Sequence, residues 1–313
     1  MIRSTPILWF SEDIDSIVDF YTDALGDVQE VTRMHYPDHS EFVDMEPSLS
    51  KKLLAVFLRV NGAPLTIARG RSDFLREEHV TFTLNFQCVP AADVAAAMHK
   101  TWAKLSDGGT VVEELTEYEG GRIHGRVIDR YGIRWSFLNA MPGEVVEQFL
   151  ITNLIFTEEN QNQAAQALDF YVDSFSETRK GDVFTFPEAD DIVTTESIMY
   201  SEFMIHDTYV IVRDAGYAMP AQSGMSVMFG MFCDTQEELD QLWNHFAPTG
   251  TPYGHFGIVA DQFGFNWLIA PFFVWKNCED GTFLDSFFRA TKADFAELDA
   301  LSTPELTRSP IYP

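Results

Sequence analysis

Apolar residues in this chain come in short runs, and between them lie stretches in which apolar and polar positions recur with a helical period. The first run, Ile7-Leu8-Trp9-Phe10, ends at the acidic cluster Ser11-Glu12-Asp13. Beyond it Ile14, Ile17, Val18, Tyr21 and Leu25 recur at three- and four-residue steps, while Asp15, Asp19 and Asp23 take the opposite face. A strand therefore feeds a helix, and Gly26 stops it. Residues 53–60 and 64–68 read as strands, and Asn61-Gly62 between them is a strong hairpin signal. The same order follows over residues 80–139: a strand, a helix carrying Val94, Met98, Trp102 and Leu105, a stop at Asp107-Gly108-Gly109, then three strands. It returns twice more. Strands at 149–156 and 226–232 precede helices at 164–175 and after Asp234-Thr235, where Glu237 and Glu238 suit the positive end of a helix dipole. A hairpin at 201–212 and strands at 256–259 and 266–273 complete these units.

The wording repeats as well as the pattern. Asp19-Phe20-Tyr21-Thr22-Asp23-Ala24-Leu25 returns as Asp169-Phe170-Tyr171-Val172-Asp173-Ser174-Phe175, and Tyr131-Gly132-Ile133-Arg134-Trp135 as Phe263-Gly264-Phe265-Asn266-Trp267. A repeat in constant order predicts tandem domains built on one plan. The expectation is an α+β chain with domains at 1–142 and 147–274, each of two β-α-β-β-β units. The breaker-rich Met141-Pro142-Gly143-Glu144 marks the boundary. Residues 275–313 follow as a helical extension, with Phe283, Leu284, Phe287, Phe288, Phe295 and Leu298 on its apolar face.

Composition narrows the function classes. The chain has 313 residues, enough for two cores of ordinary domain size. Its 27 phenylalanines call for thick apolar cores or an apolar cavity. Acidic residues number 48 against 21 basic, a net charge of −27 with no dense Lys/Arg cluster, which argues against nucleic acid and acidic membranes as partners. No apolar run approaches the ~20 residues of a membrane span, and the start lacks the apolar core of a secretory signal, so a cytoplasmic location is expected. Cys88, Cys233 and Cys278 are too dispersed for a disulfide scaffold and read as buried thiols.

Four paired β-α-β-β-β units resemble the vicinal oxygen chelate superfamily, in which two units form one cupped, mainly antiparallel sheet. Ile7-Leu8-Trp9-Phe10 before Phe20-Tyr21, Val60-Asn61-Gly62, the segment Cys233-Asp234-Thr235-Gln236-Glu237-Glu238-Leu239-Asp240-Gln241-Leu242-Trp243, and Asp261-Gln262-Phe263-Gly264-Phe265-Asn266-Trp267 resemble PhnB-like proteins, whose domain is also labelled 3-demethylubiquinone-9 3-methyltransferase. That label implies a nucleotide-type cofactor on a doubly wound sheet, and no glycine-rich strand-to-helix turn is present for one. The resemblance implies a divalent metal held by His and Glu at four cup-facing positions. Here those positions fall on Pro6, about Thr152, Ser136 and Leu268, with Thr66 and about Tyr209 in the hairpins, so neither a metal nor another cofactor is expected.

Alternation turns Trp135 and Trp267 under the helices and leaves Arg134, Ser136, Asn266 and Leu268 facing the cups. Arg134, Ser136, Asn266 and Thr152 are the candidate ligand-binding residues. Arg134 would favour an anionic or carbonyl-bearing molecule, the alternative being a surface guanidinium at a strand end. His124 and His255 are candidate general bases if an orienting partner exists. His35 and His39 flank Pro37 and read as loop residues, and Cys88 and Cys233 precede helices at matching places. Three functions stay open on the residues, and with them whether the chain is an enzyme. One is binding of a small, partly apolar or carbonyl-bearing ligand without metal. Another is metal-dependent lyase, isomerase or dioxygenase chemistry, and the third is a structural tandem with degenerate pockets. The expected partner is a small molecule, and the chain is a two-domain monomer or a homodimer.

Overall fold

The computed structural model describes residues 4–70, 78–89, 94–139, 148–175, 178–206, 208–219, 224–253, 257–277, 280–289, 292–294 and 296–297. The first unit holds β1 (Ser4–Phe10), α1 (Ile14–Ala24), β2 (Val28–His35), α2 (Glu41–Met45), β3 (Leu53–Val60) and β4 (Ala63–Arg69). The second holds β5 (Val80–Asn85), α3 (Val94–Ser106), β6 (Thr110–Tyr118), β7 (Arg122–Ile128) and β8 (Arg134–Leu138). In the third are β9 (Leu150–Phe156), α4 (Ala164–Ser174), β10 (Thr178–Thr185), β11 (Ile198–Ile205) and β12 (Thr208–Asp214). The fourth comprises β13 (Val227–Cys233), α5 (Gln236–Phe246), β14 (Thr251–Pro252), β15 (Ile258–Ala260) and β16 (Asn266–Pro271), before α6 (Val274–Asn277) and α7 (Gly281–Arg289). Local signals match these elements. Asn61 and Gly62 both take positive φ in the β3–β4 turn. Thr235 caps α5 by accepting from the Glu238 amide at 3.2 Å, while the Glu238 carboxylate accepts from the Asp234 amide at 2.9 Å.

The strands form two eight-stranded mixed sheets, ordered β14-β15-β16-β13-β1-β4-β3-β2 and β10-β11-β12-β9-β5-β8-β7-β6. The first, the outer-unit sheet, joins unit one to unit four through antiparallel β1 and β13. The second, the inner-unit sheet, joins unit two to unit three through β5 and β9. The chain is thus an α+β protein of two tandem halves, but the cups do not follow the halves. The expectation that each half closes its own cup is corrected by these two junctions, since every sheet takes four strands from each half. The boundary tetrapeptide Met141 to Glu144 lies outside the described residues.

Helices follow the other rule. α1 packs on β3 and β4 and against α3, which packs on β6 and β7; α4 packs on β10 to β12 and against α5, which packs on β13 and β16. Each helix pair comes from one half and lies between the two sheets, whose convex faces also meet directly where Ser4 Oγ donates to the Ile205 carbonyl at 3.1 Å. The repeated words of the sequence sit in this middle layer. Asp129, at the β7–β8 turn, accepts from the Tyr21 hydroxyl and the Trp135 indole, both at 2.7 Å, and from the amides of Tyr131 and Ile133. Asp261 repeats the arrangement with Tyr171 at 2.6 Å, Trp267 at 2.8 Å and the amides of Phe263 and Phe265. Each clamp ties a helix of one unit to the turn of the next, across the layer between the sheets. Gly132 and Gly264, both at φ +85°, let the turn reverse tightly enough to aim two amides at one carboxylate oxygen. The two tryptophans accordingly lie under the helices, as alternation predicts.

Candidate functional site

The two cups differ in what covers them. In the outer-unit sheet both faces of the central strands are buried: Thr5, Ile7, Ala55, Phe57, Thr66, Ala68, Met228, Phe232 and Leu268 all point to the concave side and none is exposed. Phe57 and Phe232 meet there at 5.9 Å between ring centroids. Val43 and Leu49 near α2, and Phe283, Leu284 and Phe287 of α7, belong to the same hydrophobic cluster, and α7 packs against α2. The side chains of Phe42, Trp275, Lys276 and Phe288 lie outside the described set, as do Phe295 and Leu298. The inner-unit sheet alternates instead. β7 and β8 bury their convex residues and leave His124, Arg126, Ile128, Arg134, Ser136 and Leu138 half-buried on the concave side.

Register sets out the floor of this second cup. Arg126 stands opposite Ser136, Ser136 opposite Thr83, and Thr83 opposite Ile151, while Asn153 stands opposite both Thr81 and Ile211. Thr83 Oγ1 and Asn153 Nδ2 hydrogen-bond at 3.1 Å, and Asn153 Nδ2 also donates to the Thr81 carbonyl. Ile151, Tyr200 and Ile211 form a separate small apolar cluster, flanked by Phe184 and Tyr209. Burial, with Glu202 alongside, pushes the Tyr200 phenol up.

Charge collects at the mouth. Arg126 donates from Nε to Glu113 Oε2 at 2.9 Å and from Nη1 to the Tyr217 hydroxyl at 3.0 Å, and His124 Nδ1 lies 2.9 Å from Glu113 Oε1. Burial works against the ionised Glu113, but His124 and Arg126 together hold it below the usual carboxylate range. Arg213, on the concave face of β12, interacts with the same Tyr217 hydroxyl and lies close enough to Arg126 to feel its charge; burial pulls its guanidinium down. In a flat sheet the four strand steps from β7 to β12 would span about 19 Å. Two guanidiniums meeting one phenol therefore show how far this sheet curls. The arrangement suits binding of a partly apolar molecule with electron-rich oxygens.

The sequence-predicted residues do not converge. Arg134 and Ser136 lie in the inner-unit cup, but Arg134 is ion-paired to Glu78 at 2.5 Å at the rim. Asn266 stands in the closed outer-unit cup, donating to the Gly224 carbonyl at 2.7 Å, with its carbonyl oxygen buried and unpartnered. Thr152 pairs with Phe82, whose ring packs on Trp135, so its side chain is on the convex face. The alignment that put Thr152 in the cup is one residue out, and Pro6 is convex for the same reason, opposite Phe229. Thr5 and Thr66 face the outer-unit cup and pair at 3.2 Å. His124 has its orienting partner in Glu113, whereas His255 and Cys278 lie outside the described residues. Cys88 donates to the Asn85 carbonyl and Cys233 is buried. His39 is exposed in a loop before α2, at 3.4 Å from Asp44. Among the described residues no three His, Cys, Asp or Glu side chains group so as to hold a metal ion. Arg126, Arg213, Glu113 and Tyr217 were missed. The signal was present as an arginine closing the otherwise apolar strand Tyr209-Val210-Ile211-Val212 and another sharing a face with His124.

Comparisons with known proteins agree on the fold. The family described as 3-demethylubiquinone-9 3-methyltransferase matches residues 3–138 and 148–270. Glyoxalase I from Zea mays is 11% identical over 84% of this chain and 89% of its own, with a TM-score of 0.51. A putative 3-demethylubiquinone-9 3-methyltransferase, PhnB protein, from Bacillus cereus is 17% identical over 44% of this chain and 98% of its own, with a TM-score of 0.36. No curated protein matches the chain.

Proposed function

Since the chain belongs to the family described as 3-demethylubiquinone-9 3-methyltransferase, a PhnB-like group of the vicinal oxygen chelate fold, we propose that it binds one small, partly apolar, carbonyl- or oxyanion-bearing molecule in the inner-unit cup without a metal. The observation that carries this reading is the difference in burial between the cups. The concave side of the central outer-unit strands is packed with buried, mainly apolar side chains, whereas the inner-unit cup leaves the concave residues of β7 and β8 half-buried, next to the buried polar groups of Thr83 and Asn153 and an aromatic and aliphatic wall. Ligand sites are concave and mainly apolar, with a few convergent polar groups. Ser136, Thr83 and Asn153 supply such groups on the floor, and Arg126 and Arg213 at the mouth. The donor types favour this reading over metal-dependent chemistry. Hydroxyls, amides and guanidiniums face the cup, and the acid Glu113 is already engaged by Arg126 and His124.

A thermal-shift screen of small carbonyl compounds, carboxylates and phosphonates tests the proposal, because a ligand that binds only the folded state raises its melting temperature. Ser136→Trp fills the cup from its floor. Hits are expected to lose their shift in that variant. Hits that keep the full shift in Ser136→Trp would place binding elsewhere and remove the proposal.

A further inference from the structure

The inner-unit cup contains a cation that the protein does not neutralise. Among the described residues the salt bridges engage Arg33, Arg126, Arg130, Arg134 and Arg289 with carboxylates, but no carboxylate lies within ion-pair distance of Arg213. Other described arginines also lack a carboxylate partner, but Arg122 and Arg179 are exposed to solvent and Arg69 donates to backbone carbonyls, whereas Arg213 is half-buried on the concave face. Acids do stand around the same cup, Glu78 paired to Arg134 at the rim and Asp182 near Tyr200 among them. Glu113 is held by Arg126 and His124, and Glu202, on the neighbouring strand, lies beside the Tyr200 phenol and makes no ion pair with Arg213. What reaches Arg213 is the Tyr217 hydroxyl, a neutral oxygen that also accepts from Arg126 at 3.0 Å. A half-buried guanidinium that has lost part of its hydration gains most from a charged oxygen acceptor.

We infer that the ligand of this cup is a small organic anion, with an oxyanion head of carboxylate or phosphonate type taken by Arg213 and Arg126, and an apolar body resting on Ile151, Ile211 and Tyr209. The inference rests on the reading of the inner-unit cup as the binding site and adds the charge of the ligand to it. Guanidinium forks match such heads in a way an ammonium does not. Tyr217 occupies the place of the ligand oxygen and is displaced or recruited when the anion enters.

The probes are benzoate, phenylphosphonate and the neutral isostere benzamide, titrated calorimetrically into the full chain at low and high salt. One anion is expected to bind at one site per chain, roughly tenfold or more tighter than benzamide, and more weakly in high salt. Arg213→Met should weaken it by about the same factor, while Arg59→Met, on the other sheet, should leave it unchanged. Arg126→Met reads the second half of the pair should Arg213→Met fail to fold. Which anion binds tighter distinguishes carboxylate from phosphonate. If benzamide binds as well as the anions, is lost in Ser136→Trp and is indifferent to both arginine variants, the cup is a binding site but not for anions, and this inference falls alone. If none of the three binds at millimolar concentration, it falls as well.

Discussion

At the scale of single residues, the two buried aspartates account for the repeat. Tyr21, Trp135, Tyr171 and Trp267 were visible as recurring letters, and alternation placed the tryptophans under the helices. Their acceptors Asp129 and Asp261 were not recognisable, because a carboxylate in a turn looks like any solvated turn acid until four donors are seen around it. Burial raises the pKa of both, and carries Asp261 to about 6 against the four hydrogen bonds that favour its ionised form. The sign follows from linkage. A carboxyl that holds its proton more tightly when folded contributes most to stability below the unfolded value of about 4, and this contribution declines as pH rises through about 6. Asp261→Asn removes that titration but leaves the Trp267 indole facing an amide. Denaturant unfolding of both proteins between pH 5 and 7.5 should show the variant less stable throughout. Its deficit is expected to narrow, by on the order of 1 kcal/mol, towards the upper end. A gap that is constant with pH would mean that Asp261 does not titrate in this range.

Among the elements, those with buried faces were legible, and of the edge strands β6 was legible while β2 and β10 were not. The strands at 53–60, 64–68, 226–232 and 266–273 announced themselves as apolar runs because both faces of the outer-unit sheet are covered. β2 and β10, each the terminal strand of its sheet, carry mostly half-buried or exposed residues and escape a reading by hydrophobicity. Short α2 was likewise hidden in a polar loop. The most consequential element is α7, expected to dock somewhere on the body and found with Phe283, Leu284 and Phe287 buried in the cluster that includes the outer-unit cup. Ending the chain after Phe273 should uncover that face. The expected cost is roughly 5 kcal/mol from three large side chains, together with new binding of a hydrophobic dye at neutral pH. An unchanged melting temperature and no dye binding would show that other segments seal the cup.

For the whole molecule, the sequence repeat revealed four units but not which of them pair. Within each half, the clamps and the helix pairs α1 with α3 and α4 with α5 hold neighbouring units back to back. The sheets then join the halves, through β1 with β13 and β5 with β9. Hydrophobic pattern is blind to this choice, because β1, β5, β9 and β13 are all buried almost throughout and any two could pair. An isolated fragment of residues 1–146 exposes the edges of both β1 and β5, each a ready template for another strand. It is expected to elute as a dimer in which β1 of one copy pairs with β5 of the other. A stable monomeric fragment would contradict the crossed pairing.

The crossed pairing makes two cups from four units, and the burial of their concave residues leaves them unequal. Cysteine accessibility tests that inequality most directly. In a background with Cys88, Cys233 and Cys278 replaced by serine, Thr66→Cys and Ser136→Cys place one thiol in each cup, and labelling by a small thiol reagent is followed under native conditions. The thiol at position 136 is expected to react nearly as fast as a free cysteine, and the one at 66 only as fast as the protein opens. Equal rates, or faster labelling at position 66, would contradict a sealed outer-unit cup beside an open inner-unit one.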